Sequence, residues 1–148
     1  MPEPSDGLEA RLRRLEDLEA IRQLFVDYGF ALDHGDFEAY GQLFADEGEV
    51  LLGSIGRATG PEAITALMTK TLGGRQGASF HIICNPVIHL DGDQATTDVT
   101  WAVVTRTDTG AASLSMLGRH RDLVVRQRGE WKFQRREGHI DIPSRYPG

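Results

Sequence analysis

Cysteine is nearly absent. The one thiol among 148 residues, Cys84, rules out an internal disulfide. No paired-cysteine, H-x-x-x-H or H-E-x-x-H spacing occurs, so the sequence signals no metal site. Excess positive charge is also missing: 16 Lys and Arg stand against 22 Asp and Glu, for a net charge of −6 and a pI near 5.3. That balance argues against nucleic acid or an anionic membrane surface as a partner, because binding phosphate needs a surplus of cations on one face. Neither a signal-peptide core nor a long apolar run is present, and the expected location is the cytoplasm. The glycine-rich "GSIGRATG" lacks the G-K-[ST] ending of a phosphate loop and reads as a hairpin or loop. The basic run "RHRDLVVRQR" alternates with valines and suits a charged sheet face or a dimer interface.

What is present, 40% hydrophobic and 26% charged residues, fits one soluble domain with a core large enough to enclose a small-molecule pocket. Residues 8–143 are expected to form it, with flexible segments at 1–7 and 144–148. From Leu8, the residues Leu12, Leu15, Leu18, Ile21, Leu24, Phe25, Tyr28 and Leu32 recur at three- and four-residue steps and predict a long helix with one buried stripe, ending at Gly35. Asp36 can cap a second helix, "FEAYGQLF". A third starts at Pro61, with Ile64, Leu67, Met68 and Leu72 inward.

After Gly77 the period changes to two. "SFHIICNPVIHL", "QATTDVTWAVVTRT", "ASLSMLGRHRDLVVRQR" and "EWKFQRREGHIDI" predict four long antiparallel strands joined by tight turns. Asn85-Pro86 and Gly118 sit awkwardly in flat strands and predict bulges that bend the sheet. Helices first and a meander afterwards make an α+β domain, with a curved sheet wrapping the long helix around a concave pocket.

The stretch "YGFALDHGD" places a carboxylate, Asp33, in the last turn of the first helix. At about 100° per residue it falls roughly 20° from Val26, within the apolar arc. Burial and the negative end of the helix dipole both disfavour its charge unless a donor answers it. Either the helix frays at Leu32 and Asp33 solvates the turn, or the carboxylate points inward and needs a partner. Five histidines are candidates. His34 and His89 lie at element ends and are expected to be exposed. His81 sits among apolar strand residues on the face of Ser79 and Ile83. His120 alternates with Asp122, Val124 and Arg126, and His139 with Trp131, Phe133, Arg135 and Asp141.

The segments "LEDLEAIRQLFVDYGFALDHGDFEAYGQLFADEGEV", "GRATGPEAITALM", "HIICNPVIHLDGDQAT" and "GRHRDLVVRQRGEWKFQRRE" occur in an order that resembles the SnoaL-like, scytalone-dehydratase-like branch of the nuclear transport factor 2-like (NTF2-like) superfamily. The resemblance spans almost the whole chain. It implies a cone-shaped α+β barrel, three N-terminal helices packed on a curved, mostly antiparallel mixed sheet that encloses a cavity, and a homodimer or homotrimer. It also implies a catalytic pair of Asp33 and His81, with Tyr28 in the place of a substrate-binding or catalytic tyrosine and Arg126 in that of an arginine of dehydrochlorinase-like members. One departure stands out: the common "GxY.D" element reads "GRHRD", so His120 replaces a tyrosine.

The residue chemistry is compatible with that picture. A neutral imidazole suits removal of a carbon-bound proton near pH 7, and a carboxylate on its other nitrogen fixes the tautomer. His81 is then the expected base and Asp33 its orienting partner. Tyr28 or Tyr40 would hold or protonate an oxygen, and Arg126 or His120 would supply a further donor. Phe25, Phe44, Leu67, Met68, Trp101 and Met116 are the expected apolar lining, with His139 a further substrate contact. The expected activity is a cofactor-independent lyase reaction, a dehydration or related elimination, on a small hydrophobic cyclic compound. A ketosteroid-isomerase or polyketide-cyclase type of isomerase, with an aspartate alone as base, is the alternative. A ligand carrier or a structural subunit like the small subunit of ring-hydroxylating dioxygenases is another.

Overall fold

A computed structural model describes residues 7–143. The termini expected to be flexible lie, apart from Gly7, outside the described residues. The chain forms α1 (Leu8–His34), α2 (Phe37–Gly41), β1 (Phe44–Leu51), a 3-10 turn at Gly53–Ile55, β2 (Arg57–Thr59) and α3 (Pro61–Leu72), then four long strands. These are β3 (Ser79–Asp91), β4 (Gln94–Arg106), β5 (Ala112–Gln127) and β6 (Glu130–Ile142). They form one open six-stranded sheet of order β2-β1-β6-β5-β4-β3, with β1 parallel to β6 and every other pair antiparallel. The fold is NTF2-like: three helices lie on a curved mixed sheet that wraps a cavity without closing on itself. Among the described residues no helix is long and apolar enough to cross a membrane.

Helix α1 ends as its sequence predicts. Gly35 adopts φ 70°, a left-handed conformation that favours glycine, and the following Asp36 N–H returns to the Ala31 carbonyl at 2.9 Å. The Asp36 carboxylate then accepts from the Ala39 N–H at 3.0 Å and starts α2. Helix α2 is shorter than its apolar spacing predicts. It stops at Gly41, because the chain turns there against Pro61 and Thr65 and Leu43 enters the sheet by accepting a bond from the Phe133 N–H. Phe44 therefore belongs to a strand, not a helix.

The apolar stripe of α1 is buried only in part. Leu8, Leu12 and Leu15 are 78%, 53% and 63% exposed, whereas Ile21, Leu24, Phe25, Tyr28, Ala31 and Leu32 are buried against the sheet. Leucine spacing alone does not tell a core face from an overhang, and the first turns of α1 project past the layer they would cover. Val26 and Phe30 are exposed too. In α3, Ile64 and Met68 are fully covered and Leu67 and Leu72 partly so.

Bulges give the sheet its curvature. Register slips between Cys84 and Val87, where Asn85 takes φ 52°, and again at Gly118, both at positions the sequence marks. Gly118 is required by packing, since any Cβ there would collide with the Trp101 indole and the His139 carbonyl. An unmarked bulge matters more. Phe133 pairs with Val124 but Arg135 with Leu123, so Gln134 is the inserted residue. A one-residue insertion inverts which side chains face the core. Trp131 and Phe133 point inward as expected; beyond Gln134 it is Arg136, Gly138 and Ile140 that turn to the concave side, while Arg135 and His139 turn out.

Candidate active site

Helix α1 lies across β3, and the contact brings its last turn to the third residue of that strand. Asp33 Oδ1 stands 2.7 Å from His81 Nδ1. The His81 backbone N–H also points at the carboxylate, 3.0 Å from Oδ1 and 3.1 Å from Oδ2. The helix does not fray: Asp33 turns inward and both of its oxygens are answered by one residue. A carboxylate only accepts hydrogen bonds, so the imidazole donates through Nδ1–H and keeps its lone pair on Nε2.

This pair forms part of the wall of a cavity of about 370 Å³ between the concave sheet and the helices. Of the residues singled out in the sequence, Tyr28, Asp33, Met68, His81, Trp101, Met116 and His120 line it. Leu52 and Ile55, between β1 and β2, and Arg75 and Gln76, after α3, complete its rim. Asp33 and His81 also border a shallower outer groove between α1 and β3, with Phe25, Phe30 and Phe80. Burial raises the Tyr28 hydroxyl above the usual phenol range, with the Arg136 charge partly opposing it, so Tyr28 keeps its proton near neutral pH.

Six expected site residues lie elsewhere. Tyr40 is fully buried behind Tyr28, their rings 5.2 Å apart. Phe44 packs between Tyr40 and Phe133, and Phe25 leans on Phe133. Leu67 packs against the core beside Gly56 and does not line the cavity. Arg126 is a structural clamp: it reaches Asp17 at 2.7 Å and Asp93 at 2.9 Å, with its guanidinium 4.7 Å from the Trp131 ring centre. His139 is exposed and pairs with Glu137 at 3.3 Å, a consequence of the Gln134 bulge.

The same bulge buries an arginine that strand alternation had placed outside. Arg136 is 0% exposed, its guanidinium carbon 3.9 Å from the centre of the Tyr28 ring and 4.4 Å from that of Phe133. Nη2 donates to His120 Nδ1 at 2.7 Å, and Nε lies 3.6 Å from Asp122 Oδ1, an ion pair beyond hydrogen-bond distance. Thr97 donates to the other Asp122 oxygen at 3.0 Å. Burial pushes the Asp122 carboxyl up to about 6 against the opposing pull of Arg136 and Thr97. It also drives His120 well below the usual imidazole value, with the Arg136 charge adding to the effect. The only sequence signal for this group was Asp122 sharing the His120 face. Among the described residues, no three His, Cys, Asp or Glu side chains gather as a metal would require.

The comparisons agree with this architecture. Residues 13–137 match the model of the SnoaL-like domain. An NTF2-like protein with a cystatin-like fold from Novosphingobium aromaticivorans superposes with a TM-score of 0.85 at 29% identity, covering 98% of this chain and 94% of that one. A candidate scytalone dehydratase from the same organism does so at 0.74 and 26%, covering 87% of each chain. A type 2 hexachlorocyclohexane dehydrochlorinase, LinA, gives 0.75 at 19% identity over 89% of this chain and 90% of that one, a likeness of fold. No curated protein matches the sequence. With the family model covering most of its length, this chain belongs to the SnoaL-like domain family.

Proposed function

We propose that the protein is a cofactor-independent lyase that eliminates water or a comparable leaving group from a small hydrophobic cyclic substrate. The observation that carries this is the Asp33 to His81 hydrogen bond in the wall of a mostly apolar cavity. His81 Nε2 takes a proton from a ring carbon, the C–H electrons form the new double bond, and the leaving group departs with its own bonding pair. Asp33 holds the ring in the required tautomer and balances the imidazolium that forms. Tyr28, on the wall of the same cavity, gives the proton that a departing oxygen takes up. The names of two relatives, a candidate dehydratase and a dehydrochlorinase, denote reactions of this elimination class.

The isomerase alternative needs Asp33 itself as the base. Both of its oxygens already accept hydrogen bonds from His81, which favours the imidazole. Cyclic β-hydroxy ketones and ring β-halides, offered to wild type and to His81→Ala, test the choice. The expected result is turnover by wild type and a fall in kcat of at least about 10²-fold in the variant. Retention of most of the rate would assign the base to Asp33, and no turnover of any substrate by wild type would leave a binding module.

A further inference from the structure

The cavity holds a second histidine, and its partner has the opposite hydrogen-bonding sense to that of His81. Arg136 cannot lose its proton and has no lone pair to offer, so at the 2.7 Å contact His120 Nδ1 must be the acceptor. An imidazole that accepts at Nδ1 and is neutral carries its hydrogen on Nε2. Arg136 is itself held: its charge faces Asp122, which is anchored by Thr97, and its plane rests on Tyr28 and Phe133. His120, 4% exposed, is wedged between Tyr28 and Trp101, with ring centres 5.5 and 5.6 Å away. The ring edge opposite Arg136 faces Gly138 on the cavity wall. A methyl group built on Gly138 would stand 3.2 Å from His120 Cδ2 and 3.3 Å from Nε2.

Building on the lyase reading, we infer that His120 is a hydrogen-bond donor to substrate, locked as the Nε2–H tautomer by Arg136, and that the substrate therefore carries a carbonyl oxygen on its ring. His81 and His120 then act as a complementary pair across one cavity. The first accepts the proton lost from carbon, and the second stabilises the enolate oxygen on which the C–H electron pair comes to rest before it returns to form the new double bond and the leaving group departs with its own pair. His120 keeps its own proton throughout, and Arg136 is a positioning residue. Glycine at 138 leaves the donor uncovered.

Binding tests this independently of turnover, with 1-tetralone and tetralin as probes that share a ring system and differ in the ketone oxygen. The affinity ratio of tetralone to tetralin is expected to fall about tenfold from wild type to His120→Phe. In His120→Gln it should be largely retained, because the amide oxygen can accept from Arg136 while its NH2 donates to the ketone. Gly138→Ala, which leaves Arg136 untouched, should lower the ratio by crowding Nε2, and the carbonyl stretch of bound tetralone should shift down in wild type and in His120→Gln but not in His120→Phe. Long-range proton-nitrogen NMR of wild type, which requires no variant to fold, should show His120 unprotonated at Nδ1 and protonated at Nε2. A proton on Nδ1, or the same affinity ratio in wild type and His120→Phe, overturns the inference. If the oxygen preference holds while no substrate is eliminated, the donor stands and the base assignment falls. If elimination depends on His81 while the ratio is indifferent to residue 120, the base assignment stands and the donor falls.

Discussion

His81 and His120 share a cavity, a side-chain type and a use of Nδ1, yet one is set up to take a proton and the other to keep one. At His81 the Nδ1 partner is a carboxylate, 2.7 Å away on the end of α1. At His120 it is a guanidinium at the same distance, brought in by a bulge in β6. A neutral imidazole has one hydrogen for two nitrogens, so whatever occupies Nδ1 decides what Nε2 offers. The two regions also differ in their seating. The Asp33 pair lies partly exposed between the cavity and the outer groove. The Arg136 group is sealed and rests on aromatic faces.

The strongest way to break the comparison is to remove the cation. Arg136→Leu leaves Asp122 buried without its counter-charge and should cost about 3 to 5 kcal/mol of unfolding free energy, read from urea titration. Pairing it with Asp122→Leu should recover part of the loss, since no uncompensated charge then remains. Next in size is an alteration of His81 polarity. Asp33→Asn can present an NH2 to Nδ1, which would move the imidazole hydrogen to Nε2 and give His81 the sense of His120. In the lyase reading, kcat should fall at least about 10²-fold (about 2.7 kcal/mol), while the tetralone to tetralin affinity ratio stays unchanged.

A smaller effect is linked to pH. Asp122 titrates at about 6 in the folded chain against 3.8 as its ordinary value, so between those values the native state holds a proton that the unfolded state has lost. Its contribution to stability is therefore greatest at low pH and declines as pH rises to about 6, by up to about 1.4 kcal/mol per pH unit. His120, with its pKa lowered, acts in the opposite sense, so the quantity to measure is the difference in stability between wild type and Asp122→Asn across pH 4 to 7. The smallest effect belongs to the third candidate histidine: His139→Ala, on the outer face, should change stability by no more than about 0.5 kcal/mol and leave turnover as it was.

Much of this molecule follows from sequence periodicity. The end of α1 at Gly35, the Asp36 cap, the start of α3 at Pro61, the four long strands and the bend at Asn85-Pro86 are all local consequences of residue type and spacing. The short strands β1 and β2 were not visible that way, because "FADEGEVL" carries three acidic residues and is held by pairing with a strand more than eighty residues on. His81 was legible as an imidazole among apolar strand residues, whereas Val26, the residue that placed Asp33 on an apolar arc, is exposed, and what holds the carboxylate inward is its pairing with His81 on β3. Which histidine answered which charge was not legible. That depended on a single inserted residue, Gln134, which exchanged Arg135 and His139 for Arg136 and Gly138 on the concave face. A strand's alternation is a local property, but its phase is set by pairing. The sequence by itself determined the elements and supplied the acid-base residues, and only the tertiary structure decided the polarity of each imidazole, because a tautomer is fixed by the charge packed against it.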